Sequence, residues 1–298
     1  MPRHHFVPQF MLENWATNGR LTSYQWIADS PKKVVIGSPT VRGSCQIEDL
    51  YAFYGLSVPA RNAPEDEFFT PRVDTPAAGA LRLLRSSGVA ALASRHREAW
   101  ARFIVSFGVR TPETMRSMGP AEFRNAMEIA RGTAQGPPEL EAIVTGLIAR
   151  NMHALERNMP LKIAMELATD PAKLNAVGAM QWWLRRFDKN KLLVSDRPLL
   201  AYPGTRYPCG IPLDNPDCLI ALPIAPNMVF FASASRGIRA EIRRTVPSKI
   251  AHAINTESVM SCVDFVYASD DSLGQFVRSQ LVKKAERSVN GISEGFRL

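Results

Sequence analysis

The chain has 298 residues, 46% hydrophobic and 21% charged, with a formal net charge of +8. That balance supplies a substantial core and excludes a disordered chain, and no apolar run approaches the length of a membrane span. The basic excess permits contact with nucleic acid, nucleotides or acidic proteins but requires none of them.

The first residues, Met-Pro-Arg-His-His, lack the apolar segment of a secretory signal. Phe6, Phe10 or Met11, and Trp15 recur at helical spacing, with Pro8 suited to a first turn. A short helix is therefore expected, with His4 and His5 just ahead of it and Gln9 on it. Asn18-Gly19 signals a turn, and Leu21 to Ile27 followed by Lys32 to Ile36 reads as a hairpin. Tyr51, Phe53 and Tyr54 read as packing residues. Glu65-Asp66-Glu67 reads as exposed, and Pro71 and Pro76 bracket an expected linker.

From Pro76 to Lys189 the pattern is mostly helical. In a helix from Ala90 to Gly108, Leu92, His96, Trp100, Phe103 and Phe107 share one face, and Arg110 continues the stripe. A break is expected over residues 132–138, then helices over Leu140 to Asn158 and Lys173 to Phe187. Leu192 to Val194 is an apolar run of strand length, closed by Ser195-Asp196-Arg197-Pro198. A proline-rich loop follows through Pro216. Next come two strands joined by Pro226-Asn227, and a basic helix carrying Arg236, Arg239, Arg243 and Arg244. Helix over Ile250 to Val259, strand over Phe265 to Ala268 and a last helix from Asp271 complete the chain. The expected fold is α+β: a mostly antiparallel sheet packed against a large helical middle region. We read residues 1–298 as a single domain with contributions from 1–75, 76–189 and 190–298.

The segment His-His-Phe-Val-Pro-Gln-Phe-x-Leu-x-Asn-Trp, the hairpin and the later Leu-Tyr resemble the bacterial domain of unknown function 4238 family. Arg110-Thr111-Pro112, Leu193 to Pro198, Leu222 to Asn227, Asn255 and Val266-Tyr267-Ala268 fit the same pattern in the same order. The resemblance implies no activity, because the family has none established.

Standard catalytic and cofactor motifs are missing: no phosphate loop, no GxGxxG after a strand, no HExxH and no GxSxG. Four scattered cysteines (Cys45, Cys209, Cys218, Cys262) form no CxxC pair and read as free thiols in a cytoplasmic protein. No metal and no cofactor is expected. What remains is a dispersed polar set embedded in apolar sequence. His4, His5, Arg110 and Asp196 supply the groups for acid/base work and charge clamping, and Gln9, Ser195, Asn255, Arg236, Arg239 and Arg243 the groups for binding. One reading is a metal-independent hydrolase acting on a phosphodiester or nucleotide. The other is a non-catalytic recognition or interaction module, for instance in a defence or stress pathway, with a nucleic-acid or protein partner and no membrane. The same residues also suit a buried network tying helices to sheet. A direct contact between Arg110 and Asp196 is the sharpest geometric expectation.

Overall fold

The computed structural model describes residues 2–27, 33–116, 128, 138–202 and 211–290. Cys209, the break expected before Pro138 and the stretch 203–210 of the proline-rich loop lie outside these residues.

Among the described residues, ten strands make three sheets, all antiparallel. A two-stranded sheet pairs β1 (Arg3–His5) with β4 (Gln46–Glu48). The expected hairpin forms from β2 (Thr22–Ile27) and β3 (Lys33–Gly37). The third sheet has the order β5-β9-β8-β7, built from β5 (Gln181–Arg186), β7 (Leu200–Tyr202), β8 (Leu219–Ala225) and β9 (Met228–Ser233). The hairpin sheet is completed in the order β3-β2-β10-β6 by β6 (Val194–Ser195) and β10 (Phe265–Ala268).

The helices are α1 (Gln9–Leu12), α2 (Thr75–Ser87), α3 (Ser94–Phe107), α4 (Pro138–Ala168), α5 (Pro171–Ala179), α6 (Arg236–Arg244), α7 (Pro247–Ser261) and α8 (Gly274–Asn290). The architecture is α+β. No described helix is long and apolar enough to cross a membrane.

Three expectations change. The segment Lys173 to Phe187 is not one helix: α5 ends at Ala179 and the chain turns into strand β5. Trp182 joins the apolar cluster under α2 and α3, whereas Trp183 joins the cluster under α6 and α7. A strand covered on both faces loses the polar alternation that would announce it. The linker bracketed by Pro71 and Pro76 is instead a π-helical segment, Pro64–Asp74, running directly into α2, with Phe68, Phe69 and Val73 buried. Its wider winding holds Pro71, which would break an α-helix. His4 and His5 do lie just ahead of α1, but they are held in strand β1, in register with Ile47 and Gln46, where an irregular start was expected.

One apolar cluster takes side chains from Val7 to Tyr267 and joins the N-terminal segment, α2, α3 and one face of the third sheet. Trp15 closes it, fully buried, its indole N–H donating to the Leu192 carbonyl at 2.9 Å.

Candidate functional site

Arg110 ends the apolar stripe of α3 and has no exposed surface. A buried guanidinium must be neutralised and its donors used. Asp74, at the end of the π-helical segment, does this with both carboxylate oxygens: Arg110 Nη1 donates to Oδ1 at 2.7 Å and Nη2 to Oδ2 at 3.0 Å. Nη2 also donates to the His5 carbonyl at 3.1 Å, and Nε to the Tyr51 hydroxyl at 3.4 Å. The rings of Phe69, Tyr51 and Phe107 lie 5.5, 5.9 and 5.9 Å from the guanidinium carbon. Burial works to lower the Arg110 pKa, but Asp74 and Tyr51 outweigh it and hold the group above its ordinary value. The cation is permanent and fixed.

Tyr51 carries the network onward. Its hydroxyl donates to the Arg110 carbonyl at 2.8 Å, its ring stacks on Phe69 at 4.3 Å, and its backbone N–H donates to His4 Nδ1 at 3.0 Å. That last bond places the His4 proton on Nε2, and burial pushes the pKa of His4 below the ordinary histidine value. His5 is half-buried, with Nε2 3.0 Å from the Arg42 carbonyl, and burial depresses its pKa as well.

The expected contact between Arg110 and Asp196 does not form. Arg110 is taken by Asp74, and Asp196 is taken by the backbone that enters β10. Its Oδ1 accepts the Val263 N–H at 2.8 Å, and its Oδ2 accepts those of Asp264 at 2.7 Å and Phe265 at 2.9 Å. Burial raises the Asp196 pKa against these three amides, which favour the carboxylate. Ser195 closes the turn locally: its hydroxyl donates to the Arg197 carbonyl at 2.8 Å and accepts the Arg197 N–H at 3.2 Å. Asn255 on α7 pins the same strand, accepting the Leu193 N–H at 2.8 Å and donating to the Lys191 carbonyl at 2.9 Å.

The remaining predicted residues lie elsewhere. Gln9 opens α1, half-buried. Arg236 and Arg243 are exposed on α6, and Arg239 bonds Gln181 Oε1 at 3.0 Å beneath them. These arginines are not among the residues around Arg110 or Asp196.

Two neighbouring hollows lie over the buried network. The smaller, about 210 Å³, is lined by Ser44, Cys45, Glu113, Asp196 and Tyr267 among others. Cys45 and Tyr267 face each other across 3.5 Å, and burial pushes the Cys45 thiol well above its ordinary pKa, so it stays protonated and is a poor nucleophile. The larger, about 740 Å³, lies between the loop after β4, the helical turn after Thr111 and α4. Its lining mixes apolar side chains, Ile47, Leu50, Phe53, Leu56, Met115 and Leu161, with the carboxylates of Glu48 and Asp49 and the guanidinium groups of Arg61, Arg116 and Arg157. Ile47, Pro112 and Arg116 line both hollows, so the two adjoin. A volume in this range suits a small organic ligand.

The buried network roots the walls of the larger cavity. Arg110 anchors the chain just where the next helical turn starts, with Thr111 Oγ1 accepting the Thr114 N–H at 3.3 Å and Pro112 in the first turn. His4 and Tyr51 fix the start of the opposite wall. Asn158 holds its far end, accepting the Tyr54 N–H at 2.6 Å and donating to the Tyr54 carbonyl at 3.0 Å. Tyr54, read from sequence as a packing residue, is 43% exposed, and the Arg157 guanidinium lies over its ring at 4.7 Å. Asp74, Arg61, Arg116 and Arg157 were not singled out in sequence. The Leu-Tyr pair at residues 50 and 51 was the one local sign of this wall.

Searches among curated proteins and solved structures found no match to this chain. A family model described as "Protein of unknown function (DUF4238)" matches residues 3–272. That span takes in the β1 histidines, Arg110 with its helical turn, and the Ser195-Asp196 turn, and the chain belongs to the DUF4238 family.

Proposed function

We propose that the chain is a recognition module for a nucleotide or a related organic phosphate, bound in the 740 Å³ cavity. His4, Arg110 and Asp196 act as the scaffold of its walls. The observation that carries this reading is the contrast between two groups of cations. Arg110 is sealed, with no exposed surface, whereas Arg157 is exposed at the cavity, its guanidinium lies over the face of Tyr54, and no described hydrogen bond or ion pair engages it. Arg61 is paired with Asp49 and Arg116 with Glu113, which leaves Arg157 without a described carboxylate partner. With the apolar side chains beside it, that guanidinium suits a ligand with a planar apolar body and an anionic end, since arginine pairs with phosphate through two parallel hydrogen bonds.

The hydrolase reading has one observation in its favour. Asp196 lines the smaller cleft beside Tyr267 and Ser44, so a carboxylate does reach a cavity wall. His4, His5 and Arg110 line neither hollow.

Titration calorimetry with nucleoside monophosphates and their phosphate-free nucleosides separates the possibilities. Saturable binding of the phosphorylated ligands is expected, with Arg157→Ala weakening it about tenfold or more, the cost of one charge-assisted hydrogen bond. Wild-type protein that binds none of them, or an Arg157→Ala variant that binds equally well, removes this reading.

A further inference from the structure

On the opposite side of α2, Arg82 and Arg85 stand one helical turn apart, and β5 ends on Arg186 beside the turn between β8 and β9. Together with Ser86, Asn227 and Met228 they line a hollow of about 570 Å³. Among the described residues its lining holds three guanidinium groups, one hydroxyl, one side-chain amide and no carboxylate. Elsewhere several arginines face an acid, as Arg61 faces Asp49 and Arg102 faces Glu98. These three do not. Arg85 donates to the Asn14 side-chain oxygen, and Arg186 Nη2 donates to the Arg85 carbonyl at 2.5 Å. Both acceptors are neutral, and each bond uses one of five N–H donors. No described hydrogen bond or ion pair engages the Arg82 side chain.

The Arg186 bond does more than satisfy a helix-end carbonyl. It holds the guanidinium of the strand end against the last turn of α2, next to two further cations that repel it. Like charges gathered this way are stabilised by a bound anion, and a group with several acceptor oxygens uses the unspent donors best. Asn227 adds a neutral amide to the same hollow.

We propose that the hollow between α2 and the end of β5 is a phosphate-binding site, formed by Arg82, Arg85 and Arg186. It shares no residue with the cavity at Tyr54, so the two readings stand or fall separately. The phosphate belongs either to a nucleic-acid backbone or to a free phosphate compound, and the chemistry of recognition is common to both.

Fluorescence anisotropy with a labelled single-stranded oligonucleotide over a salt series, and calorimetry with inorganic pyrophosphate, form the two arms. Arg82→Ala and Arg82→Glu are the variants of choice, because the described structure asks nothing of that side chain; circular dichroism checks that both remain folded. For a backbone phosphate, each arginine removed lowers the slope of log affinity against log salt by roughly 0.7, and Arg82→Glu weakens binding more than Arg82→Ala. For a free phosphate compound, pyrophosphate binds saturably, the oligonucleotide does not, and Arg82→Glu abolishes the pyrophosphate signal. Wild-type protein that binds neither probe overturns the proposal, as do oligonucleotide slopes and pyrophosphate affinities that are identical in wild type and Arg82→Glu.

Discussion

Asp74→Ala is expected to destabilise the protein by about 5 kcal/mol and Arg110→Met by about 3 kcal/mol, the two ends of the range for breaking a buried ion pair. The order follows from exposure. Arg110 has none, so without Asp74 its charge cannot reach water; the Asp74 side chain keeps 17% of its surface and can recruit solvent when Arg110 is gone. The aromatic collar of Tyr51, Phe69 and Phe107 accepts the methionine stem readily. A stranded guanidinium would keep only neutral partners, the ring faces at 5.5–5.9 Å, the Tyr51 hydroxyl and the His5 carbonyl, with no countercharge. Joining Arg110→Met to Asp74→Leu in one chain should recover part of the loss, because an apolar pair replaces a desolvated ionic one. Chemical denaturation of the two single variants and the double variant reads all three energies. Equal stability in wild type and Asp74→Ala would mean that the pair does not anchor the chain.

Asp196→Ala is expected to cost about 3 kcal/mol or more, since it orphans the amides of Val263, Asp264 and Phe265 and each unsatisfied donor costs about 1–3 kcal/mol. Water entering from the adjoining cleft reduces the sum below a simple total. Asp196→Asn retains one acceptor oxygen and should cost about half as much, roughly 1–2 kcal/mol. Hydrogen exchange at those three amides should accelerate in both variants, ahead of the rest of β10. The opposite pattern, an Asp196→Asn protein of wild-type stability that has lost a measurable turnover, would assign Asp196 to chemistry instead of to the turn.

The chain pattern revealed the fold where faces differ. The β2–β3 hairpin, the paired strands around Pro226-Asn227 and the helices α3, α6, α7 and α8 all carry a readable period or turn. It concealed β5, because Trp182 and Trp183 are both buried and no alternation survives. Three-residue β1 is too short for any period at all.

The polar set was legible as a set of residues but not as a set of partners. Arg110 and Asp196 were expected to contact each other, and each is compensated by a different partner. Asp74 was hidden in a proline-flanked stretch that reads as linker. The compensation for Asp196 comes from backbone N–H groups, which every residue except proline carries and which leave no mark in a sequence. The cavity arginines were missed for a related reason: Arg61, Arg116 and Arg157 meet only once the walls are folded together.

Recognition without turnover in the cavity has two halves, and phosphorus-31 NMR of the protein with an excess of a nucleoside monophosphate reads both at once. The ligand resonance is expected to broaden or shift on addition of wild-type protein, to recover with Arg157→Ala, and to yield no new phosphorus signal over prolonged incubation. An inorganic phosphate signal that grows with wild-type protein and is lost in His5→Ala would contradict recognition without turnover.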